Sequence, residues 1–259
     1  MNQSVIGALA ATLGTWFVTA LGAATVVFFR TPSVRLLNRL MGFASGVMIA
    51  ASFWSLLQPA VERAEQTTQF PAAVTVTAGF LTGALFLWGS DKVVAYARRD
   101  CEAGNNRVFL LIASITLHNI PEGLAVGVAF GVLQRGFTTD ALAAAISVAV
   151  GIGLQNFPEG AAVSLPLRRD GLSRSRSFFY GQASGMVEPI AGVFGALLTS
   201  TVESVLPFAL SFAAGAMILV AVHELIPECQ HKQQNDPYGA TVGIVSGFAV
   251  MMLLDVLLG

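Results

Sequence analysis

The sequence predicts an all-α polytopic membrane protein with eight transmembrane helices, and three observations carry that prediction. The 14 basic and 15 acidic residues make up 11% of 259 positions, against about 25% in an ordinary soluble domain. Hydrophobic residues account for 54% of the chain, and the mean hydropathy is +0.70. Charge is absent from residues 1–29, 40–61 and 66–90; each run could cross a hydrocarbon core, which takes about 20 apolar residues.

The elements follow in order. The first helix, 4–29, lacks a basic leader and is too long for the apolar part of a signal peptide, so it reads as a retained span. The second and third, 37–60 and 71–96, rest on the two other uncharged runs. Helices 108–133, 140–167 and 177–200 each contain one glutamate, which weakens their hydropathy; total length and the turn-like stretches between them define their limits. Helices 205–227 and 238–258 complete the set, leaving short connections and a single transmembrane domain over 1–259.

Basic residues collect on the cytoplasmic side of a membrane protein. Arg30, Arg35, Arg39, Arg98, Arg99, Arg107, Arg168, Arg169, Arg174, Arg176 and Lys232 lie in odd-to-even connections, 11 of the 14. Arg63 and Arg135 lie on the other side, and Lys92 near the inner end of span three. Both termini are therefore expected outside, in a cytoplasmic (inner) membrane, with Cys101 and Cys229 on the reducing face as free thiols. A net charge of −1 without a basic run gives no footprint for nucleic acid.

Span four contains His118-Asn119-Ile120-Pro121-Glu122-Gly123, and span five contains Gln155-Asn156-Phe157-Pro158-Glu159-Gly160, 37 residues on. Adjacent spans run in opposite directions, so the Asn-X-Pro-Glu-Gly copies are antiparallel, a construction used for ion sites in transporters. His118 and Glu122 are four residues apart on one helix face, as are Gln155 and Glu159. Facing each other, the helices offer an imidazole, two carboxylates and amide oxygens from Asn119, Gln155 and Asn156. That mixed nitrogen and oxygen set suits a borderline divalent ion such as Zn²⁺. Pro121 and Pro158 cannot donate a backbone hydrogen bond, so each is expected to free a carbonyl and bend its helix beside the acid.

Cost argues that the acids have a purpose. A charged side chain at mid-helix costs about 2.5–3.5 kcal/mol on insertion scales, and Glu122, Glu159 and Glu188 have no Lys or Arg nearby in their spans. Glu188-Pro189 follows Ser184-Gly185, small residues that allow close helix approach. Met48 on span two offers a thioether, or simply packs. Asp91, His223 and Glu224 near the inner ends of spans three and seven either line a cytoplasmic exit or reach to the interface, and Lys92 could pair with Asp91. Glu62 and Asp255 near the outer face either draw cations to an entrance or form a solvated rim. His231 reads as a loop histidine.

The paired motifs, Ser184-Gly185-Met186-Val187-Glu188-Pro189 and His223-Glu224 closely resemble the ZIP (Zrt/Irt-like) family of divalent metal transporters, most of all its prokaryotic GufA-type branch, along essentially the whole chain. The resemblance implies eight helices in a three-plus-two-plus-three arrangement with spans four and five central. It implies movement of Zn²⁺, and often Cd²⁺, Fe²⁺ or Mn²⁺, into the cytoplasm by alternating access through a two-metal site at mid-membrane. By position, His118, Glu122, Gln155, Glu159 and Met48 would form one metal site. Asn119, Asn156 and Glu188 would complete the adjacent one, bridged by Glu122 and Glu159. Asp91, His223, Glu224 and His231 would mark the exit, and Glu62 and Asp255 the entrance. Three departures stand out: residues 97–107 contain no His, Gln155 stands where some relatives carry His, and Asn156 stands where some carry Asp, which removes a negative charge from the second position.

The metal is cargo in this reading and no cofactor is expected; Gly151-Ile152-Gly153 lacks the Gly-Lys-Ser/Thr of a phosphate-binding loop. Gly- and Ala-rich helix faces allow a homodimer. The alternative is an intramembrane zinc-dependent hydrolase, against which His223-Glu224 lacks a second His at the zincin spacing.

Overall fold

The computed structural model describes residues 3–29, 33–67, 70–99, 105–134, 136–169, 171–201, 203–231 and 238–258, and every regular element among them is helical. Arg30, Cys101, Arg135 and Lys232 lie outside the described residues, as do the side chains of Arg98, Arg99, Arg107 and His231. Span one is Gln3–Ala24 with a 3-10 turn Thr25–Val27. Span two is Val34–Ala51, a π-helical turn Ser52–Leu57, and Gln58–Thr67. Spans three, four and five are Ala72–Arg99, Asn105–Val132 and Thr139–Arg169. Span six joins Arg174–Ala183 to Val187–Thr201 through a 3-10 turn Ser184–Met186. Span seven is Leu206–Val220, a π turn Ala221–Leu225 and Ile226–His231, and span eight is Gly239–Leu258.

Each expected helix is present, with ends shifted by a few residues. The largest shift is at span two, which continues to Thr67 through Glu62, Arg63 and Glu65; charged residues past an apolar run conceal helix that projects beyond the hydrocarbon core. Among the described residues, six stretches are long and apolar enough to cross a membrane: Gln3–Val27, Val34–Gln66, Ala72–Tyr96, Thr139–Arg169, Leu206–Gln230 and Gly239–Leu257. Spans four and six are not among these six.

The molecule is apolar outside and polar at its centre. Phe17, Leu85, Phe194 and Val245 are each more than half exposed, whereas Gln155, Asn156 and Glu188 are fully buried. Lipid removes the hydrophobic drive for helix association, so close packing must supply it. The most extensive contacts join spans one and five, four and six, two and eight, and three and seven. Exchanging one with six, two with seven, three with eight and four with five turns this pairing into itself. Contacts of two with five and of four with seven interchange in the same way. The three-plus-two-plus-three arrangement is thus visible in the packing. Spans one, four, five and six form one group, and two, three, seven and eight the other.

Glycine permits the closest approaches. A Cβ at Gly160 would run into the Thr19 carbonyl of span one, and a Cβ at Gly123 into the Glu188 backbone of span six. The glycine that ends each Asn-X-Pro-Glu-Gly copy therefore seats its helix on the partner in the same group.

The π turns lie away from the motif prolines. Spans four and five run as continuous α-helix through Pro121 and Pro158. The two π turns instead end two residues before Pro59 and Pro227, at symmetry-related places in spans two and seven. A proline removes one backbone donor and crowds the carbonyl four residues back, and a π turn is one way for the helix to accommodate that.

Candidate metal centre

The motif side chains on spans four and five meet in the interior. Gln155 Nε2 donates to Glu122 Oε1 at 2.7 Å across the pair. Asn156 Nδ2 donates to both oxygens of Glu188, at 2.9 Å each, and to the Thr15 carbonyl at 3.2 Å. Thr15 Oγ1 donates to Glu188 Oε2 at 2.5 Å, and Asn119 Nδ2 is 3.4 Å from Glu188 Oε1. Five oxygens of this cluster are buried and receive no donor: Asn119 Oδ1, Glu122 Oε2, Gln155 Oε1, Asn156 Oδ1 and Glu159 Oε1. Buried acceptors are ordinarily satisfied. Oxygen ligands on two ionisable carboxylates and three amides form a set that a divalent cation would complete.

His118 Nε2 has carboxylate partners of its own. It lies 2.9 Å from Glu224 Oε1 and 3.3 Å from Asp91 Oδ1. The three ligand atoms lie within 4.8 Å of one another and could hold a metal ion. Span three supplies Asp91, span four His118 and the π turn of span seven Glu224. Since His118 and Glu122 are about one helical turn apart, this second cluster adjoins the first. Of the two readings open for Asp91, pairing with Lys92 is not what the structure has: Lys92 Nζ lies 5.5 Å from the Trp88 ring centroid, where a cation over an aromatic face is attracted to it.

A cavity of about 400 Å³ reaches His118, Asn119, Glu122 and Glu159 from the end of the molecule that holds His223 and Glu228. A second cavity, about 450 Å³, enters from the opposite end and is lined by Glu62, Asp140 and Asp255. Ser55 and Ser147 donate to Asp255 at 2.7 and 3.2 Å. Between the cavities, Val126 on span four and Ile152 on span five are fully buried in the apolar core. Along span five, Val148, Ile152, Gln155 and Glu159 follow one face, leading from the outer cavity through an apolar layer to the carboxylates.

The structure thus brings His118, Asn119, Glu122, Gln155, Asn156, Glu159 and Glu188 into one region. It joins Asp91 and Glu224 directly to His118, and His223 lines the same inner cavity. Met48 on span two is fully buried and belongs to the same core cluster as Val126 and Ile152. Thr15 was missed. Thr12, Thr15 and Thr19 are all buried, and their spacing of three and four residues is a polar stripe on an otherwise apolar span, a signal legible in the sequence.

Comparison with known proteins finds relatives along the whole chain. The family model described as ZIP Zinc transporter matches residues 97–255. Human "Zinc transporter ZIP11" is 38% identical over 100% of this chain and 99% of its own length. "Zinc transporter GufA" of Myxococcus xanthus is 38% identical, covering 97% of this chain and 98% of the relative. "Zinc transporter ZIPB" of Bordetella bronchiseptica is 39% identical over 93% of this chain and 78% of the relative. These relatives are named as transporters, and nothing among them or in the fold favours the hydrolase alternative. Since the matched region takes in both motifs, span six and His223-Glu224, and the relatives align along nearly the whole chain, the chain belongs to the ZIP zinc transporter family.

Proposed function

We propose that this protein carries Zn²⁺, or a similar divalent cation, across a cytoplasmic membrane into the cell by alternating access at the Glu122–Glu159 centre. The observation that carries the reading is the group of five buried acceptor oxygens without donors, of whose residues Asn119, Glu122 and Glu159 line a cavity from the basic side of the molecule. An ion would exchange water for carboxylate and amide oxygens at mid-membrane. It would then pass to His118, Asp91 and Glu224 and leave past His223. Glu62 and Asp255 would raise the local cation concentration at the outer cavity. The ion gradient, the voltage or capture of metal inside the cell would drive net movement.

The test is uptake of radiolabelled zinc by proteoliposomes containing the purified protein, with and without an imposed pH gradient. Uptake above protein-free vesicles is expected. Equal uptake in the two preparations, by a monodisperse and folded protein, would remove the reading.

The apolar layer makes a separate prediction. With Cys101 and Cys229 replaced by serine, cysteine is introduced at Ala144, Ile152 or Ala162 and treated with a membrane-impermeant thiol reagent. Ala144 lines the outer cavity and Ala162 the inner one, while Ile152 is fully buried. In metal-free vesicles, Ala144→Cys is expected to react from outside, Ala162→Cys only from the cytoplasmic side, and Ile152→Cys from neither. Reaction of all three from one side would mean an open pore and end the alternating-access reading.

A further inference from the structure

Glu188 differs from the other two intramembrane glutamates in how its oxygens are used. Glu122 Oε2 and Glu159 Oε1 receive no donor. Both oxygens of Glu188 are occupied: Oε2 by the Thr15 hydroxyl at 2.5 Å and Asn156 Nδ2 at 2.9 Å, Oε1 by Asn156 Nδ2 at 2.9 Å and Asn119 Nδ2 at 3.4 Å. A carboxylate offers about four lone-pair sites, and three donor hydrogens meet them here, the one from Asn156 shared between both oxygens. We infer that, in this chain, the position beside the Glu122–Glu159 pair is filled by these side-chain donors and takes no second ion, and that Glu188 is a positioning residue rather than a ligand. The inference rests on the reading that Glu122 and Glu159 hold the transported ion.

The orientation of Asn156 is fixed from two directions. One face of its amide nitrogen meets Glu188 and the other meets the Thr15 carbonyl at 3.2 Å. Both partners only accept, so the NH₂ end must face them. A cation approaching Glu188 would meet the positive ends of amide N–H and hydroxyl O–H dipoles and would have to displace them. An aspartate at 156 could not donate. Two carboxylates at that separation would repel unless a cation or a proton lay between them. The choice between amide and acid at residue 156 therefore decides whether an ion or an amide neutralises Glu188. With their nitrogens committed to Glu188, Asn119 and Asn156 keep their Oδ1 atoms free of donors, available to the single ion.

The experiment counts Zn²⁺ bound by the full-length protein in detergent, by equilibrium dialysis and elemental analysis. Counts for the intact protein and for the Glu122→Ala/Glu159→Ala double variant are compared, so that ions held by Asp91, His118 and Glu224 cancel. A difference of one ion per chain is expected. A difference of two would overturn the single-ion inference alone, and no difference would overturn the transport reading together with it. Asn156→Asp, nearly isosteric and able to fold in the same space, is expected to bind one ion more than the intact protein; no gain would overturn the role given to the amide. Glu188→Ala is expected to weaken Zn²⁺ affinity by about 10–100-fold, as loss of an outer-shell partner does, without changing the count. Glu188→Gln, whose carbonyl still accepts N–H groups, should recover most of the loss. A count that falls in Glu188→Ala would make Glu188 a ligand and overturn the inference.

Discussion

Alanine at Glu122 or at Glu159 is expected to abolish zinc uptake in proteoliposomes while leaving the helical fold intact. Glu122 is 1% exposed and has no basic partner within its span. Its bond to Gln155 Nε2 uses one oxygen and leaves the other for a cation. Breaking a desolvated charge pair costs about 3–5 kcal/mol, so an ion that loses one such carboxylate should lose more than about 100-fold in occupancy at 1.4 kcal/mol per tenfold. Stability should move the other way or hardly at all, because an unpaired buried acid is a burden on the metal-free protein. The check is initial uptake rate beside thermal unfolding of each variant. Uptake within a few-fold of the intact protein in both variants would take the repeated motif out of the ion path and make its acids structural.

The second large effect is expected at the cluster of Asp91, His118 and Glu224. Here the imidazole serves two neighbours: it adjoins Glu122 along span four, and its Nε2 is held by the two carboxylates. His118→Ala removes the only nitrogen ligand of either cluster, and uptake should fall by about 10–100-fold, in the range set by loss of a metal-site partner. Asp91→Asn with Glu224→Gln should leave binding at the centre nearly unchanged and slow delivery to the vesicle lumen. Measuring binding and uptake on the same preparations separates these cases. Equal loss of binding in His118→Ala and in the Asp91/Glu224 pair would instead make the two clusters one site. Glu224 owes its aim to the π turn at 221–225, so an insertion or deletion there should act like the Glu224 substitution.

Much of this protein was legible before any coordinates. Charge-free runs marked the spans because lipid tolerates few ionised groups, and that penalty acts residue by residue along the chain. The recurrence of Asn-X-Pro-Glu-Gly after 37 residues gave the antiparallel pair at the centre, and helical periodicity put His118 with Glu122 and Gln155 with Glu159. Pro59 and Pro227, which flank the two π turns, are as visible as Pro121 and Pro158, but a proline alone does not say whether its helix bends or takes up a π turn.

The sequence by itself determined the helices, their alternation across the membrane and the inventory of intramembrane ligands, because hydropathy, helical period and the cost of a buried charge are local properties. Tertiary structure alone decided how that inventory is shared. Thr15 meets Glu188 across 173 positions, and Asp91 and Glu224 converge on His118 from spans three and seven. These outcomes depend on the rotation of each helix about its axis and on glycine contacts that fix how closely spans one and five, and four and six, approach. No short stretch of sequence encodes such contacts, since each requires two distant segments to be placed at once.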